Sequence, residues 1–186
     1  MRITKVTTRT GDKGKTGLAT GEKVFKSDKI ISALGDVDEL SSIIGVCALN
    51  CKDDDTKKFL HKIQNNLFDI GGQISLNSFE NSIINEKMIT DLDKQIDALN
   101  SELDPLQEFI LPSGDSFSSN IHVARSVTRR AERTTVDLFS DTLEENPVIM
   151  YLNRLSDYFF VLSRNYNKKN NISETCLLYT SPSPRD

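Results

Sequence analysis

The stretch from Thr8 to Leu18 reads T-R-T-G-D-K-G-K-T-G-L and gathers the residue types that hold anions. Two glycines flank an aspartate and a lysine, and glycine lets a backbone turn sharply and come close to a ligand. Successive N–H groups in such a turn form a concave anion site. Thr8, Thr10 and Thr16 add hydroxyls, and Arg9, Lys13 and Lys15 add positive charge. The set suits a polyphosphate. It is not a P-loop, although Gly14-Lys15-Thr16 matches the last half of one. Arg9 stands where that motif needs its first glycine. Only Ile3 and Val6 are apolar in the segment before it, and Gly17 and Gly21 weaken any helix after it. The competing reading of this stretch is an exposed terminal arm with no ligand.

A second concentration of charge reads A-R-S-V-T-R-R-A-E-R, from Ala124 to Arg133. On a helix, Arg125, Arg129 and Glu132 fall within about 60° of one another, beside an apolar stripe. Arg130 and Arg133 extend the arc away from the core. A solvated helix face mixes lysines and acids, whereas clustered arginines suit carboxylate or phosphate recognition. A salt-bridged surface face is the alternative.

Three further groups stand at the edges of apolar stripes. In G-D-V-D-E-L, Asp36, Asp38 and Glu39 are expected in the first turns of a helix, where its dipole favours acids. Asp38 borders the core and needs a cation, for which Arg125 is a candidate. In Y-L-N-R-L-S-D-Y-F-F, Asn153 and Asp157 are i, i+4 neighbours, either structural or part of a site. Phe109 lies in a loop flanked by Pro105 and Pro112, where an aromatic ring ordinarily fills the core.

The elements that must position these residues are helices. Ile30, Leu34, Val37, Ser41, Ile44, Ala48 and Cys51 recur at helical spacing, behind Ser27 or Asp28 as cap. Phe59, Ile63, Asn66, Leu67 and Ile70 mark a second helix, which Gly71-Gly72 should interrupt or end. Met88, Leu92, Ile96 and Leu99 mark a third. A fourth is expected from about Ser116 to Ser140, on Ile121, Ala124, Thr128, Ala131, Thr135 and Leu138. Pro147 suits the first turn of a fifth, with Leu152, Leu155, Phe159, Leu162 and Tyr166 as its stripe. No β alternation extends beyond the first few residues, and there is no internal repeat. The fold class is therefore all-α, a helical bundle of five helices.

The 186 residues suit one domain with its own core. A net charge of −4 carries no general nucleic-acid footprint. No apolar run is long enough to span a bilayer, and no secretory signal opens the chain. Neither a nucleic acid nor a membrane is expected as partner, and a cytoplasmic location is. The three cysteines cannot all pair. Cys47 and Cys51 read as small buried residues rather than a zinc site. His61 and His122 are far apart and lack the Glu-x-x-His pattern of a di-iron bundle. Residues 176–186, C-L-L-Y-T-S-P-S-P-R-D, differ in character from the rest, with Pro182 and Pro184 against a helix.

Five segments, taken in order, resemble the ATP:cob(I)alamin adenosyltransferases of the trimeric helical-bundle type. They are T-R-T-G-D-K-G-K-T with Lys26 beyond it, G-D-V-D-E-L-S-S-I-I-G, F-I-L-P-S-G, H-V-A-R-S-V-T-R-R-A-E-R and Y-L-N-R-L-S-D-Y-F-F. The resemblance covers residues from about 4 to 166. It implies a five-helix bundle of ferritin-like or cobalamin adenosyltransferase type, with an N-terminal nucleotide-binding loop. One domain would span residues 1–172, with an ATP-binding arm at 1–26 and the bundle at 27–172. By its composition, the stretch at 173–186 is expected to be an atypical tail, disordered or non-native.

The resemblance also implies the reaction. The 5′-deoxyadenosyl group of ATP moves to the cobalt of cob(I)alamin, and triphosphate leaves. ATP would meet Thr8, Arg9, Thr10, Gly11, Thr16, Gly17 and Lys26, with Arg129, Arg130, Glu132, Arg133 and Asn153. Phe109 would close the lower face of the corrin, and Asp38 and Arg125 would pair near cobalamin at a subunit boundary. Mg²⁺ would accompany ATP, with no ligands assigned to it. The implied assembly is a homotrimer served by an electron donor and a cobalamin-dependent acceptor enzyme. Two departures stand out. The atypical tail replaces a family segment near the corrin, and Lys23, Val24 and Phe25 replace a more basic run. Competing readings are an ATP-binding helical module without corrinoid activity and a purely structural trimeric bundle.

Overall fold

Each helix begins where an Asp or Asn can cap it. The computed structural model describes residues 7, 9–77, 82–140 and 146–178. Its helices are α1 (Lys29–Asn50), α2 (Asp54–Leu76), α3 (Glu86–Ser101), α4 (Ser116–Leu138) and α5 (Pro147–Lys169). The caps are Asp28, Asp53, Asn85, Asp115 and Asn146, and each side chain accepts a backbone N–H of the first turn. Such caps satisfy donors that have no partner inside the helix.

Helix α4 packs against both α1 and α5, while α2 packs on α1 and α3 on α5. The stripes meet in one core, in which Tyr151, Tyr158, Phe117 and Phe159 are the largest fully buried rings. The Tyr151 hydroxyl accepts a hydrogen bond from Asn66 at 3.0 Å, so the one polar end of that ring is satisfied. Cys47 and Cys51 are buried free thiols, and burial pushes Cys47 up to about 12. No helix among the described residues is long and apolar enough to cross a membrane.

Three local expectations change. Gly71-Gly72 does not end α2, which continues to Leu76. Gln73 and Ile74 extend its buried face beyond the glycines, so packing outweighs the low helix propensity. Asp36, Asp38 and Glu39 are not in the first turn of α1, which begins at Lys29 and holds no acid there. The helix dipole therefore does not account for them. The arm also contains a hairpin. Strands β1 (Lys15–Gly17) and β2 (Lys23–Phe25) pair antiparallel with Thr16 opposite Val24. Leu18 and Val24 pack against the core, and the Ala19 N–H donates to Ser75 Oγ on α2 at 2.8 Å.

Residues 174–177 run beside the loop between α3 and α4. The Leu111 N–H donates to the Thr175 carbonyl, and the Leu177 N–H to the Phe109 carbonyl, each at 2.7 Å.

Candidate active site

The arm builds one half of the site. Its backbone turns back at Arg9, which has φ 59°, and Lys26 N–H closes the hairpin on the Gly14 carbonyl at 2.8 Å. A Cβ on Gly11 would lie 2.9 Å from the Lys26 ammonium nitrogen. Glycine is thus what allows this cation to lie on the backbone of the turn. Thr10, Gly11, Thr16, Gly17 and Lys26 are gathered within this short span. Thr8, expected beside them, lies outside the described residues.

Between the hairpin and the outer faces of α1 and α2 runs an open groove of about 1290 Å³. Thr16, Gly17 and Lys26 line it from the arm, Leu34 and Asp38 from α1, and Phe68 from α2. Phe68 is 83% exposed, so the groove presents an apolar ring as well as polar groups. The sequence did not single out Phe68. Its position opposite the stripe of α2 marks it as an outward aromatic, and that was the available signal.

The second half lies on α4 and α5. Asn153 Nδ2 donates to Glu132 Oε1 at 3.1 Å, which joins two of the expected nucleotide residues directly. Arg154 donates to Asn153 Oδ1 at 3.0 Å and to Asp93 at 3.1 Å, so it orients the amide from behind. Arg154 directly follows Asn153 in its motif and could have been read with it. Arg129 and Arg133 are exposed on the same helix as Glu132, at i, i+4 spacing.

Arg130 differs from the expectation that it points away from the core. Its Nε donates to Asp36 Oδ1 at 3.0 Å, and its guanidinium also bonds Glu39. The Thr134 hydroxyl reaches the other Asp36 oxygen at 2.9 Å. The turn of α4 carries Arg130 toward α1, where two acids neutralise it.

Asp38 and Arg125 occupy different surroundings within the chain. Asp38 faces the groove beside the arm. Arg125 stacks on Phe160 of α5, with its central carbon 5.4 Å from the ring centre. Burial and then the charge of Arg129 push Arg125 down from its ordinary value, and Asp157 opposes them. An arginine stays charged all the same. Within one chain Arg125 is therefore not the counter-ion of Asp38.

Phe109 is 46% exposed, which removes it from the core that its proline-flanked loop suggested. Among the described residues the candidate features are thus an anion-suited arm, an arginine face and a half-exposed aromatic ring. No group of three acidic, histidine or cysteine side chains among the described residues could hold a metal ion.

The family model for cobalamin adenosyltransferase matches residues 6–166. The chain belongs to that family. It is 42% identical over 169 residues to the cobalamin adenosyltransferase of Cupriavidus metallidurans, covering 90% of both chains. It is 38% identical to the corrinoid adenosyltransferase of Bacillus subtilis, covering 91% of this chain and 90% of that one. Among solved structures, it resembles a phenylalanine-to-alanine variant of the PduO-type ATP:corrinoid adenosyltransferase from Lactobacillus reuteri, complexed with cobalamin and ATP. The TM-score is 0.85 at 30% identity, covering 95% of this chain and all of that chain. An arginine-to-lysine variant of that enzyme, complexed with ATP, gives 0.85 at 32% identity over 93% of this chain and all of that one. The five-helix bundle is the fold of these enzymes.

Proposed function

We propose that this protein transfers the 5′-deoxyadenosyl group of ATP to the cobalt of cob(I)alamin, giving adenosylcobalamin and triphosphate. The observation that carries this reading is the family match across residues 6–166, which contains every candidate site residue. No observation favours an ATP-binding module without corrinoid activity. Mixing the protein anaerobically with ATP, Mg²⁺ and chemically reduced cobalamin tests it. The adenosylcobalamin spectrum should develop. Its absence with folded, ATP-bound protein would overturn the reading.

In this mechanism cob(I)alamin is the nucleophile, so the protein needs no base. The Co–C5′ bond forms as the C5′–O bond breaks, and the electron pair leaves with triphosphate. What the protein supplies is alignment and charge. Thr8, Arg9, Thr10, Gly11, Thr16, Gly17 and Lys26 hold the phosphates, with the glycine turn presenting N–H groups. Arg129 and Arg133 supply positive charge to the departing triphosphate. Glu132 and Asn153, bonded to each other, position the nucleoside. Arg130 acts on the same nucleotide through its hold on α1, since its guanidinium already faces Asp36 and Glu39. Mg²⁺ would come with the triphosphate and be held mainly by phosphate oxygens and water, because the described residues offer it no ligand cluster. It would supply further neutralisation of phosphate charge.

The arm borders α1 and α2, while Arg129 and Arg133 are exposed on α4 and Glu132 bonds α5, an arrangement that accords with a site shared between adjacent subunits of a homotrimer. Asp38 of one subunit and Arg125 of the next would then pair beside cobalamin. Light scattering tests this assembly, and a concentration-independent monomer would exclude it. Phe109 faces the lower side of the corrin, where an apolar ring excludes water and the lower ligand. A cytoplasmic location accords with three free cysteines. An electron donor and a cobalamin-dependent acceptor complete the cycle. The catalytic unit is read as residues 1–172 together with residues 174–177, which bond Arg164 of α5 and the loop that carries Phe109.

A further inference from the structure

Phe109 can act on a ligand only if its loop is held in place, and the loop between α3 and α4 has no regular structure of its own. Its middle pairs with residues 175–177, and its two ends are fastened from α5. Five consecutive residues in the last turns of α5 grip both ends of it. At the entry, Arg164 donates to the Asp104 carbonyl at 3.3 Å. Asn165 donates to the Leu99 carbonyl at 3.1 Å and to Glu102 at 3.0 Å. Lys168 donates to the Glu102 carbonyl at 2.8 Å and to Asp104 at 2.9 Å. At the exit, the Tyr166 hydroxyl donates to Asp115 Oδ2 at 2.9 Å. Asn167 packs so closely that a Cβ on Gly114 would lie 2.7 Å from its Oδ1.

Arg164 is the member that links this grip to the middle of the loop. It is only 9% exposed, and burying a charge there requires partners. Its Nε donates to Glu174 at 2.9 Å, and its terminal nitrogen reaches both Glu174 and the Asp104 carbonyl. Thr175, the next residue, accepts the N–H of Leu111, two residues beyond Phe109. One guanidinium thus fixes the loop entry and the segment that pairs with its centre. A planar fork can hold both partners at once, which an ammonium cannot do with the same geometry.

We propose that the last turns of α5 set the position of Phe109, with Arg164 as the positioning residue. The proposal rests on the reading of Phe109 as the ring beneath cobalamin. Reactive groups displaced by about 1 Å lose much of their effect. Loosening the clamp therefore acts on the step that depends on the ring, and leaves the nucleotide half of the site alone.

The test compares Arg164→Ala, Arg164→Lys, Tyr166→Phe and Phe109→Ala in the full chain. Each is assayed from cob(II)alamin with a reduced flavin as electron donor, and separately from chemically reduced cob(I)alamin. ATP affinity and melting temperature are measured alongside. For Arg164→Ala, the rate from cob(II)alamin should fall about tenfold or more, that from cob(I)alamin less than about threefold, and ATP affinity should be unchanged. Arg164→Lys should restore most of the melting temperature but not the rate. Tyr166→Phe removes one hydroxyl, keeps the packing, and should show the same split in smaller measure. Equal losses from both starting states that follow the melting temperature, or no loss at all, would overturn the clamp. If Phe109→Ala shows the split and the Arg164 and Tyr166 variants do not, the clamp fails and the reading of Phe109 stands. If Phe109→Ala shows none, the reading of Phe109 fails and the proposal with it.

Discussion

The Arg130 guanidinium of α4 lies against Asp36 of α1, with Nε 3.0 Å from the carboxylate oxygen. Its neighbour Arg129 is exposed. Adjacent arginines therefore have different duties, and substitution should separate them. Arg130→Ala leaves the Asp36 carboxylate, only 18% exposed, with the Thr134 hydroxyl as its remaining partner. The cost should be about 1–2 kcal/mol, between the limits for exposed and buried pairs. For a chain of this size that lowers the melting temperature by about 2–8 °C.

Arg129→Ala should leave the melting temperature within about 1 °C, because surface substitutions cost little. ATP affinity should fall about tenfold or more, since a charge-assisted contact contributes roughly 1.5–3 kcal/mol. Calorimetric titration with MgATP measures it. An effect under twofold would return Arg129 to an ordinary solvated face.

The contrast between these arginines shows what the sequence could convey. Helical spacing placed both beside the stripe of α4, but the acids that claim Arg130 lie more than ninety residues earlier. Which helix faces which is a matter of packing, and periodicity is silent about it. Asp38 and Arg125 were matched on the same incomplete grounds. Helix starts were legible because a cap is a local device, and Asp28, Asp115 and Asn146 lie directly before their helices. The end of α2 was not, because Gln73 and Ile74 carry its buried face past two glycines. The hairpin escaped notice because three-residue strands contain too little alternation to register.

Gly114 should not tolerate a side chain. It has φ 131°, and a Cβ there would lie 2.0 Å from Ser118 Oγ. Gly114→Ala must strain the backbone and displace both Ser118 and Asn167, at a cost of about 2 kcal/mol or more. Thermal unfolding should show the loss. A melting temperature within 1 °C of the parent would mean that the turn has another conformation.

His122 makes stability depend on pH. Burial, and then the charge of Arg125, hold its imidazole below the ordinary 6.5, with Glu174 opposing. The unfolded chain then binds more protons between the lowered folded value and 6.5, so stability rises with pH through that window. Its contribution is complete above 6.5 and is lost as pH falls toward the folded value. Asp115 behaves differently. Burial alone would raise its carboxyl, but hydrogen bonds from Ser118, Tyr166 and Phe117 outweigh it and hold the group below 3.8. Its contribution persists until far lower pH. Melting temperatures between pH 7.5 and 5 should therefore decline in the parent and stay flatter in His122→Gln. Parallel curves for the two proteins would remove His122 as the cause.

Phe109 provides the sharpest separation of packing from chemistry. A fully buried phenylalanine costs roughly 3–5 kcal/mol when cut to alanine. Phe109 is 46% exposed, so Phe109→Ala should cost no more than about 2 kcal/mol. The protein should stay folded and bind MgATP as before, because the arm and the arginines are untouched. What should change is the cobalt environment. On the proposed role, the ring would keep the lower ligand and water from the cobalt of bound cob(II)alamin, which would lower the orbital that accepts the electron. With alanine, water or the lower ligand can reach cobalt, and paramagnetic resonance should report an axial ligand restored. Phe109→Leu keeps an apolar wedge of smaller size and should lie between the two. A leucine variant that matches alanine would show that the aromatic ring itself, and not exclusion of water by apolar bulk, is required. Unchanged resonance spectra in both variants, with activity falling only as folded protein is lost, would assign Phe109 to stability and sink the wedge.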